Sequence, residues 1–459
     1  MSVIAPQHRR MLVPDEMPVQ RTGMVALDRV SRRKGRREFL FLQGLAGPFF
    51  ALLGHRLADA GHGVRRINFN GGDKLYWRTP GATDYRGTLA RWPAFLDAYL
   101  DRAPATDLVL FGDCRPLHAA AIAVARARGI QVHVFEEGYI RPDYVTVEAE
   151  GVNGHSKLPR NPEDYLRAAR ALPPLEEHAP IASFFGRRAR EDLTYNLSSF
   201  LLTPLFPGYR THRPWHILVE YAGWAARLVR KRRGMRRSSA TIDRLNAGGQ
   251  PFFVFPLQLD CDYQIRVHSD FKRIQPAIEH VLASFAAHGP ADTLLVVKGH
   301  PLDNGLTNWE TRTLNAAAKL GIADRVVFIA WADIDPLVRA ARGVVTVNST
   351  TGTLALRYGV PTIVLGEAVY NIARITHQAG LDTFWRQPEA PVAEVFDAFR
   401  RVLVDRCLIH GGYFSDEGLD MLIEGAAGRI EANAPGAPVV RRTAPGVAVK
   451  GVRAASARG

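Results

Sequence analysis

The chain has 459 residues, 47% hydrophobic and 23% charged, and its 59 Lys and Arg against 45 Asp and Glu give a formal net charge of +14. That length and composition provide for two substantial globular domains, and the charge calls for an anionic partner such as anionic lipid or a phosphorylated substrate. No uninterrupted apolar run reaches the roughly 20 residues of a spanning helix, no nucleic-acid-binding signature appears, and the three scattered cysteines, Cys114, Cys261 and Cys407, make neither a disulfide framework nor a CxxC pair.

Residues 1–37 are basic and aperiodic, which predicts a flexible arm. Ser31–Arg37 followed by an apolar stretch mimics a secretory leader. It starts late, however, and is broken by Gln43, several glycines and Pro48, which argues against export. Phe39–Leu42 reads as a buried strand. Gln43, Gly44, Gly47 and Pro48 form a glycine turn into a helix ending near Ala60, and Val64–Phe69 is the next strand, closed by the polar turn Asn70–Asp73. This β-α-β unit predicts a parallel sheet, with both turns at the carboxyl ends of strands, where ligands of such sheets bind.

Further along, Asp107–Phe111 is a strand ending in GDCRP, and "QVHVFEEGYIRPDYVTVE" is a strand that delivers Glu136, Glu137 and Arg141 to a charged loop. Residues 182–237 are aromatic-rich. There Trp215, Leu218, Val219, Ala222, Ala225, Ala226 and Val229 share a helical face beside a run of Lys and Arg. Such a helix suits an anionic membrane surface; the alternative is a core helix with cations at its C-terminus. The first domain is assigned to 38–240, with 182–237 as a membrane-facing insert.

A second domain over 241–410 carries the strands PFFVFPLQ, TLLVVKGHP, RVVFI, GVVTVNST and TIVLG, with helices between them. A terminal helix over 411–433 is expected to cross back, and the Pro-, Ala- and Arg-rich tail 434–459 reads as disordered. The expected fold is α/β, two facing Rossmann-like domains with the active site between them, the GT-B glycosyltransferase architecture.

Four segments carry candidate chemistry. Asn348 ends a strand, and Ser349, Thr350, Thr351 and Gly352 open a helix, a context for phosphate binding or for simple N-capping. Lys298, His300 and Pro301 follow another strand; the two bases there would neutralise a phosphate and assist departure of a nucleotide. "FPLQLDCDYQIRVHSDF" places Asp260 and Asp262 after a strand with Gln258, Gln264, His268 and Ser269 nearby, and Glu136 and Glu137 are the counterpart in the first domain. One carboxylate from each side could serve as nucleophile and acid/base in a retaining sugar transfer.

Taken in order, "QGLAGPFF", "NFNGGDKLYW", "FEEGYIRPDYVTVE", "PLQLDCDYQIRVHS", "KGHPLDNG" and "NSTTGTLALRYGVPTIVLGEAVYNIARITH" resemble the KpsS/LipB-type capsular polysaccharide biosynthesis proteins from about Phe39 to Trp385. Ala46 between the glycines departs from the shorter turn expected there. The resemblance implies a retaining β-Kdo transferase that uses CMP-Kdo and a lyso-phosphatidylglycerol acceptor. It would act peripherally at the cytoplasmic face of the inner membrane, beside other capsule proteins, and start the Kdo linker of the capsule glycolipid. His300-Pro301 and Asn348-Ser349-Thr350 match the CMP-binding motifs, with Asp262 the nucleophile and Glu137 the acid/base. Lys298, Arg115 or Arg141 would pair with the donor's phosphate and carboxylate. The remaining substrate-facing candidates are Gln43, Gly44, Gly47, Asn70, Asp73, Glu136, Gln258 and Gln264. No metal or cofactor is required on this reading. The competing readings are a UDP-sugar transferase or epimerase of the same fold, a non-catalytic capsule assembly factor, and charge-driven nucleic-acid binding.

Overall fold

The computed structural model describes residues 35–432 apart from 177 and 212–214. The tail expected over 434–459 and residues 1–34 of the arm lie outside the described residues. Arg37, the last residue of that arm, is anchored: its guanidinium donates to the Asp107 carboxylate at 2.8 Å and to the Ile430 carbonyl at 2.5 Å.

Two sheets organise the chain. The first contains β1 (Glu38–Phe41), β2 (Gly63–Asn68), β3 (Ala82–Asp84), β4 (Asp107–Phe111), β5 (Gln131–Glu137) and β6 (Tyr144–Ala149). The second is built from β7 (Phe252–Pro256), β8 (Leu294–Lys298), β9 (Val326–Ile329), β10 (Gly343–Thr346) and β11 (Thr362–Val364). A last strand, β12 (Leu408–His410), returns to the first sheet and pairs antiparallel with β6. The orders are β12-β6-β5-β4-β1-β2-β3 and β11-β10-β7-β8-β9. Strands β1–β5 run parallel, as do all five of the second sheet. Each parallel set therefore has the same 3-2-1-4-5 order, with a switch point between its first and fourth strands.

The strands read as continuous apolar runs because both faces are covered. Phe39 and Phe41 enter one core and Leu40 the other, while Phe253 and Phe255 face one side of the second sheet and Phe252 and Val254 the other. The protein is an α/β chain of two Rossmann-like domains facing each other in GT-B fashion. Contacts across the cleft include Thr353 Oγ1 donating to the Tyr139 carbonyl at 2.9 Å, Arg160 to the Ala368 carbonyl at 2.6 Å, and Arg374 to Glu163 at 2.9 Å.

Two boundaries differ from expectation. The chain re-enters the first domain before residue 411: the helix Ala393–Arg406 packs on Pro162–Ala169, with Phe399 5.3 Å from the Tyr165 ring. The helix Asp416–Ala432 then packs on Phe49–Asp59. The insert is split as well. Its first helix, Phe185–Leu201, docks on the first domain, whereas Ile217–Gly248 is one continuous helix lying against the second. Arg227 of that helix sits 4.3 Å over Trp331 and donates to the His300 carbonyl at 3.2 Å, and Ser238 Oγ accepts from the Trp331 N–H at 3.1 Å. The side of the helix that faces the second domain is thus Gly223, Arg227, Ser238 and Leu245. Leu218, Val219, Ala222, Ala225, Ala226 and Val229 are exposed, which overturns the core-helix alternative for this face.

Candidate active site in the interdomain cleft

The point where the turns after β1 and β2 meet is filled by the protein itself. Tyr195, from Phe185–Leu201, accepts from Gln43 Nε2 at 2.8 Å and from Asn70 Nδ2 at 2.9 Å, and donates to Asp73 Oδ1 at 2.9 Å. Asp73 is fully buried and also pairs with Arg66 at 3.0 Å; Asn70 is 1% exposed and caps its own short helix by accepting from the Asp73 N–H. Gly47 has φ +144°, and a side chain there would meet Glu191 of the docked helix; one at Gly44 would meet Phe50. Asn70, Asp73 and Gly47 are therefore braces for that helix rather than open substrate contacts, and Gly44 is packed against Phe50 of the helix Phe49–Asp59. Gln43 is buried as well, but Arg115 is not: Arg115 Nη1 donates to Gln43 Oε1 at 2.8 Å, and both line a cavity of about 440 Å³ with Phe69, Tyr85, Leu117 and Tyr209.

At the end of β5 the two adjacent glutamates have opposite electrostatic fates. Glu137 is clamped between Arg141 at 2.8 Å and Arg188 at 2.7 Å. Burial raises its pKa, but these two guanidiniums outweigh burial and hold the carboxyl below the usual range. Glu136 has no such clamp. Burial, with Glu137 and Asp262 adding like charge, pushes it up to about 7. Of the two carboxyls, Glu136 is the one shifted toward neutrality, whereas Glu137, expected as the acid/base, is held ionised by its two arginines. Arg188 escaped the sequence reading. It lies in a basic run, GRRAR, whose spacing does not mark one arginine from the next.

From the second domain, Asp262 caps the short helix Tyr263–Arg266 and accepts from the Gln264 N–H at 2.9 Å. Burial raises its pKa, opposed by that hydrogen bond and by Arg141, while Glu137 raises it further. Asp262 and the Glu136–Glu137 pair thus interact across the cleft, one carboxylate set from each domain. Asp260 is turned away: it accepts from the Ile274 N–H at 2.9 Å and pairs with Arg273 at 3.1 Å.

His300 faces the same charges. Its Nδ1 accepts from the Leu302 N–H at 3.1 Å, so the neutral ring carries its proton on Nε2. Burial, Arg141 and Lys298 lower its pKa to about 4. At neutral pH His300 is a hydrogen-bond donor and not a cation. Pro301 follows at an exposed turn. Lys298 is 4% exposed and donates to the Gly299 carbonyl at 2.7 Å, so it does not present a free ammonium; burial and Arg227 lower its pKa to about 8.

The hydroxyl-rich turn after β10 opens a helix of only seven residues, Thr351–Arg357. Thr350 is the N-cap and makes no side-chain cap bond; Ser349 Oγ, one residue earlier, accepts from the Thr351 N–H at 3.1 Å in a local turn. Thr350 is half-buried, and a side chain at Gly352 would collide with the Tyr370 hydroxyl, which itself bonds the Ser349 carbonyl. Asn348 is buried. Its amide donates to the carbonyls of Gln264 at 2.7 Å and His268 at 3.1 Å, and Gln258 donates to its oxygen at 3.0 Å. Asn348 and Gln258 position the Asp262 segment instead of facing solvent.

A family model described as "Capsule polysaccharide biosynthesis protein" matches residues 106–414. The chain is 32% identical over 379 residues to the Escherichia coli capsule polysaccharide export protein KpsS, covering 82% of this chain and 97% of that one. It is 33% identical over 382 residues to the Neisseria meningitidis capsule polysaccharide modification protein LipB, covering 82% and 91%. Among solved structures it is similar to Thermosulfurimonas dismutans KpsC, described as a beta Kdo 2,7 transferase, at 12% identity and TM-score 0.43 over 85% of this chain and 98% of that one. With the cleft described and these relatives spanning most of its length, the chain belongs to the capsule polysaccharide biosynthesis protein family.

Proposed function

We propose that the protein transfers a β-Kdo residue from CMP-Kdo to a (lyso)phosphatidylglycerol acceptor with retention, initiating the Kdo linker of a capsule glycolipid. The observation that carries the reading is the electrostatic coupling of Asp262 with Glu136 and Glu137 from the other domain, where one carboxylate is tuned to about 7 and its neighbour is held ionised. In the first step Asp262 attacks the anomeric carbon as the bond to the CMP phosphate breaks, and His300 Nε2–H donates to the departing oxygen. In the second step the acceptor hydroxyl attacks the glycosyl-enzyme and gives its proton to Glu136, releasing Asp262. Arg141 and Arg188 fix Glu137, and Arg115 at the 440 Å³ cavity is the candidate contact for the acceptor phosphate.

Peripheral membrane attachment is part of the proposal. No helix among the described residues is long and apolar enough to cross a membrane. Exposed large apolar side chains concentrate in the insert, where Phe184, Phe185, Leu201, Leu218, Leu228 and Val229 are all at least 58% exposed. The basic residues Arg230–Arg233 continue the same helix, a composition that suits an anionic bilayer surface.

The test is incubation of purified protein with CMP-Kdo generated in situ and a fluorescent lyso-phosphatidylglycerol. One added Kdo by mass, absent with Asp262→Ala, supports the reading. Turnover of a UDP-sugar instead, or product formation undiminished in Asp262→Ala, overturns it.

A further inference from the structure

Four side chains that the proposed transfer does not use converge beside the carboxylate pair. Asp113 and Cys114 follow β4, His155 lies in the turn after β6, and His268 comes from the second domain, two residues beyond the Tyr263–Arg266 helix. One ligand atom of each lies within 4.8 Å of all the others. Cys114 Sγ is 3.3 Å from His268 Nε2, His155 Nδ1 is 2.7 Å from Asp113 Oδ2, and the two imidazoles meet edge to face at 4.8 Å.

We propose that Asp113, Cys114, His155 and His268 form a binding site for a zinc-class divalent ion that staples the two domains together at the cleft. The donor set is one thiolate, two imidazoles and one carboxylate. That mixture favours zinc and disfavours magnesium or calcium, which take oxygen ligands. A tetrahedral ion with ligand bonds of about 2.0–2.3 Å keeps its donors roughly 3.4–3.7 Å apart. The Cys114–His268 separation is already close to that value. The Asp113–His155 contact must open by about half an ångström, and the widest pair must close by about one, movements of the size side-chain rotation provides.

The surroundings fit a built site. Asp113 and His268 are buried, at 5% and 2% exposure, while the His155 side chain is 53% exposed and leaves an entry path. With Nε2 turned toward Cys114, the other ring nitrogen of His268 points toward Gly154. A side chain at Gly154 would come within 2.4 Å of that nitrogen and 2.5 Å of a Glu367 carboxylate oxygen. The Glu367 N–H is also bonded to the His268 carbonyl at 2.8 Å. The Glu367 carboxylate thus lies on the same side of the ring as the non-ligating nitrogen, where carboxylates commonly orient metal-bound histidines. On binding, the Cys114 thiol releases its proton to solvent, and the His155 proton now facing Asp113 moves to the exposed Nε2.

Three ligands belong to the first domain and one to the second, so the ion would set the spacing of the cleft. With four protein ligands the site is closed to substrate, as in structural rather than catalytic zinc centres. The proposal is independent of which sugar nucleotide the cleft accepts.

The experiment is titration of chelator-treated full-length protein with Co(II), followed by Zn(II) competition. The expected result is one Co(II) per chain, with a tetrahedral visible spectrum and a thiolate charge-transfer band. Both are displaced by Zn(II), lost in Cys114→Ser, and retained in Cys261→Ser. His268→Gln should weaken Zn(II) binding at least about a hundredfold, at or beyond the upper end of what outer partners cost. His155→Ala, a change at an exposed side chain that folding tolerates, should also weaken it. Absence of stoichiometric binding overturns the site, as does a charge-transfer band that survives Cys114→Ser. Binding unchanged in His268→Gln overturns the interdomain staple.

Discussion

Gln258 and Asn348 hold each other through two hydrogen bonds. Gln258 Nε2 donates to Asn348 Oδ1 at 3.0 Å, and the Asn348 backbone N–H donates to Gln258 Oε1 at 3.1 Å. They follow β7 and β10, so the pair spans the switch point of the second sheet, where the crevice of an open parallel sheet lies. Gln43 and Arg115, after β1 and β4, make the corresponding bridge in the first sheet at 2.8 Å. The two bridges differ in what they leave open. Arg115 faces a cavity, whereas Asn348 is buried and spends its amide on the segment that carries Asp262.

Asn348→Ala should therefore destabilise the second domain. It removes the partner of the Gln258 amide and of the Gln264 carbonyl, while the His268 carbonyl keeps the Glu367 N–H, and unsatisfied buried groups cost about 1–3 kcal/mol each. After partial relaxation the expected loss is about 2–4 kcal/mol in urea denaturation, with transfer activity falling in parallel. Lost activity at unchanged stability would instead make Asn348 a direct nucleotide contact.

Glu136 should set an acid limb in the pH dependence of kcat. As the base for the acceptor hydroxyl it must be ionised, so the rate rises through about pH 7. Glu136→Gln should remove that limb and lower kcat by about 10²–10⁴-fold. The stability effect has the opposite sign. Below about 4.5 the group is protonated in both states. Between there and about 7 the folded state holds the extra proton, so stability falls with rising pH across that window and then levels off. Glu136→Gln should flatten this slope in thermal melts.

His300, neutral down to about pH 4, contributes no titration of its own between pH 5 and 8. Its loop is held by Arg227, stacked on Trp331 and bonded to the His300 carbonyl. Arg227→Lys keeps the charge but loses the planar fork and the stacking. The expected outcome is a fall in kcat of about tenfold, the equivalent of about 1.4 kcal/mol in the barrier, with little change in acceptor KM. An unchanged kcat would separate the long helix from the chemistry.

Leu228→Glu with Val229→Glu tests the membrane face. Both side chains are exposed, at 58% and 85%, so stability should change by less than about 0.5 kcal/mol. Co-sedimentation with phosphatidylglycerol-containing vesicles should drop several-fold, and transfer to a water-soluble acceptor analogue should persist. Undiminished sedimentation would move the attachment surface elsewhere.

The parallel strands were legible because each is a short apolar run closed by polar or glycine-rich turns, and the cleft residues Glu136, Glu137, Asp262 and His300 all follow such runs. What the sequence concealed is which polar side chains face inward. Asn70, Asp73, Gln258 and Asn348 occupy ligand-facing turns, yet each is taken by a partner up to 125 residues away, such as Tyr195. No local periodicity encodes that pairing. The Asp113–Cys114–His155–His268 cluster was hidden for the same reason, since its ligands span 113 to 268 and match no short metal motif. The helix Ile217–Gly248 runs through the boundary drawn between 240 and 241, where the small and polar residues SSATIDRLNAG carry little apolar spacing.

The return of β12 to the first sheet has a consequence during synthesis. Until residues 408–410 have emerged from the ribosome, β6 is an edge with unpaired backbone groups along one side. The core that the helix Asp416–Ala432 covers, including Phe49 and Phe135, stays uncapped until that later helix has emerged as well. The second domain, contained between about 248 and 393, has all its strands available earlier. The domain that starts first thus finishes last, and a nascent chain of this protein passes through a stage with a folded second domain attached to an open-edged first one. Arrest at that stage exposes a template for pairing with a neighbouring chain.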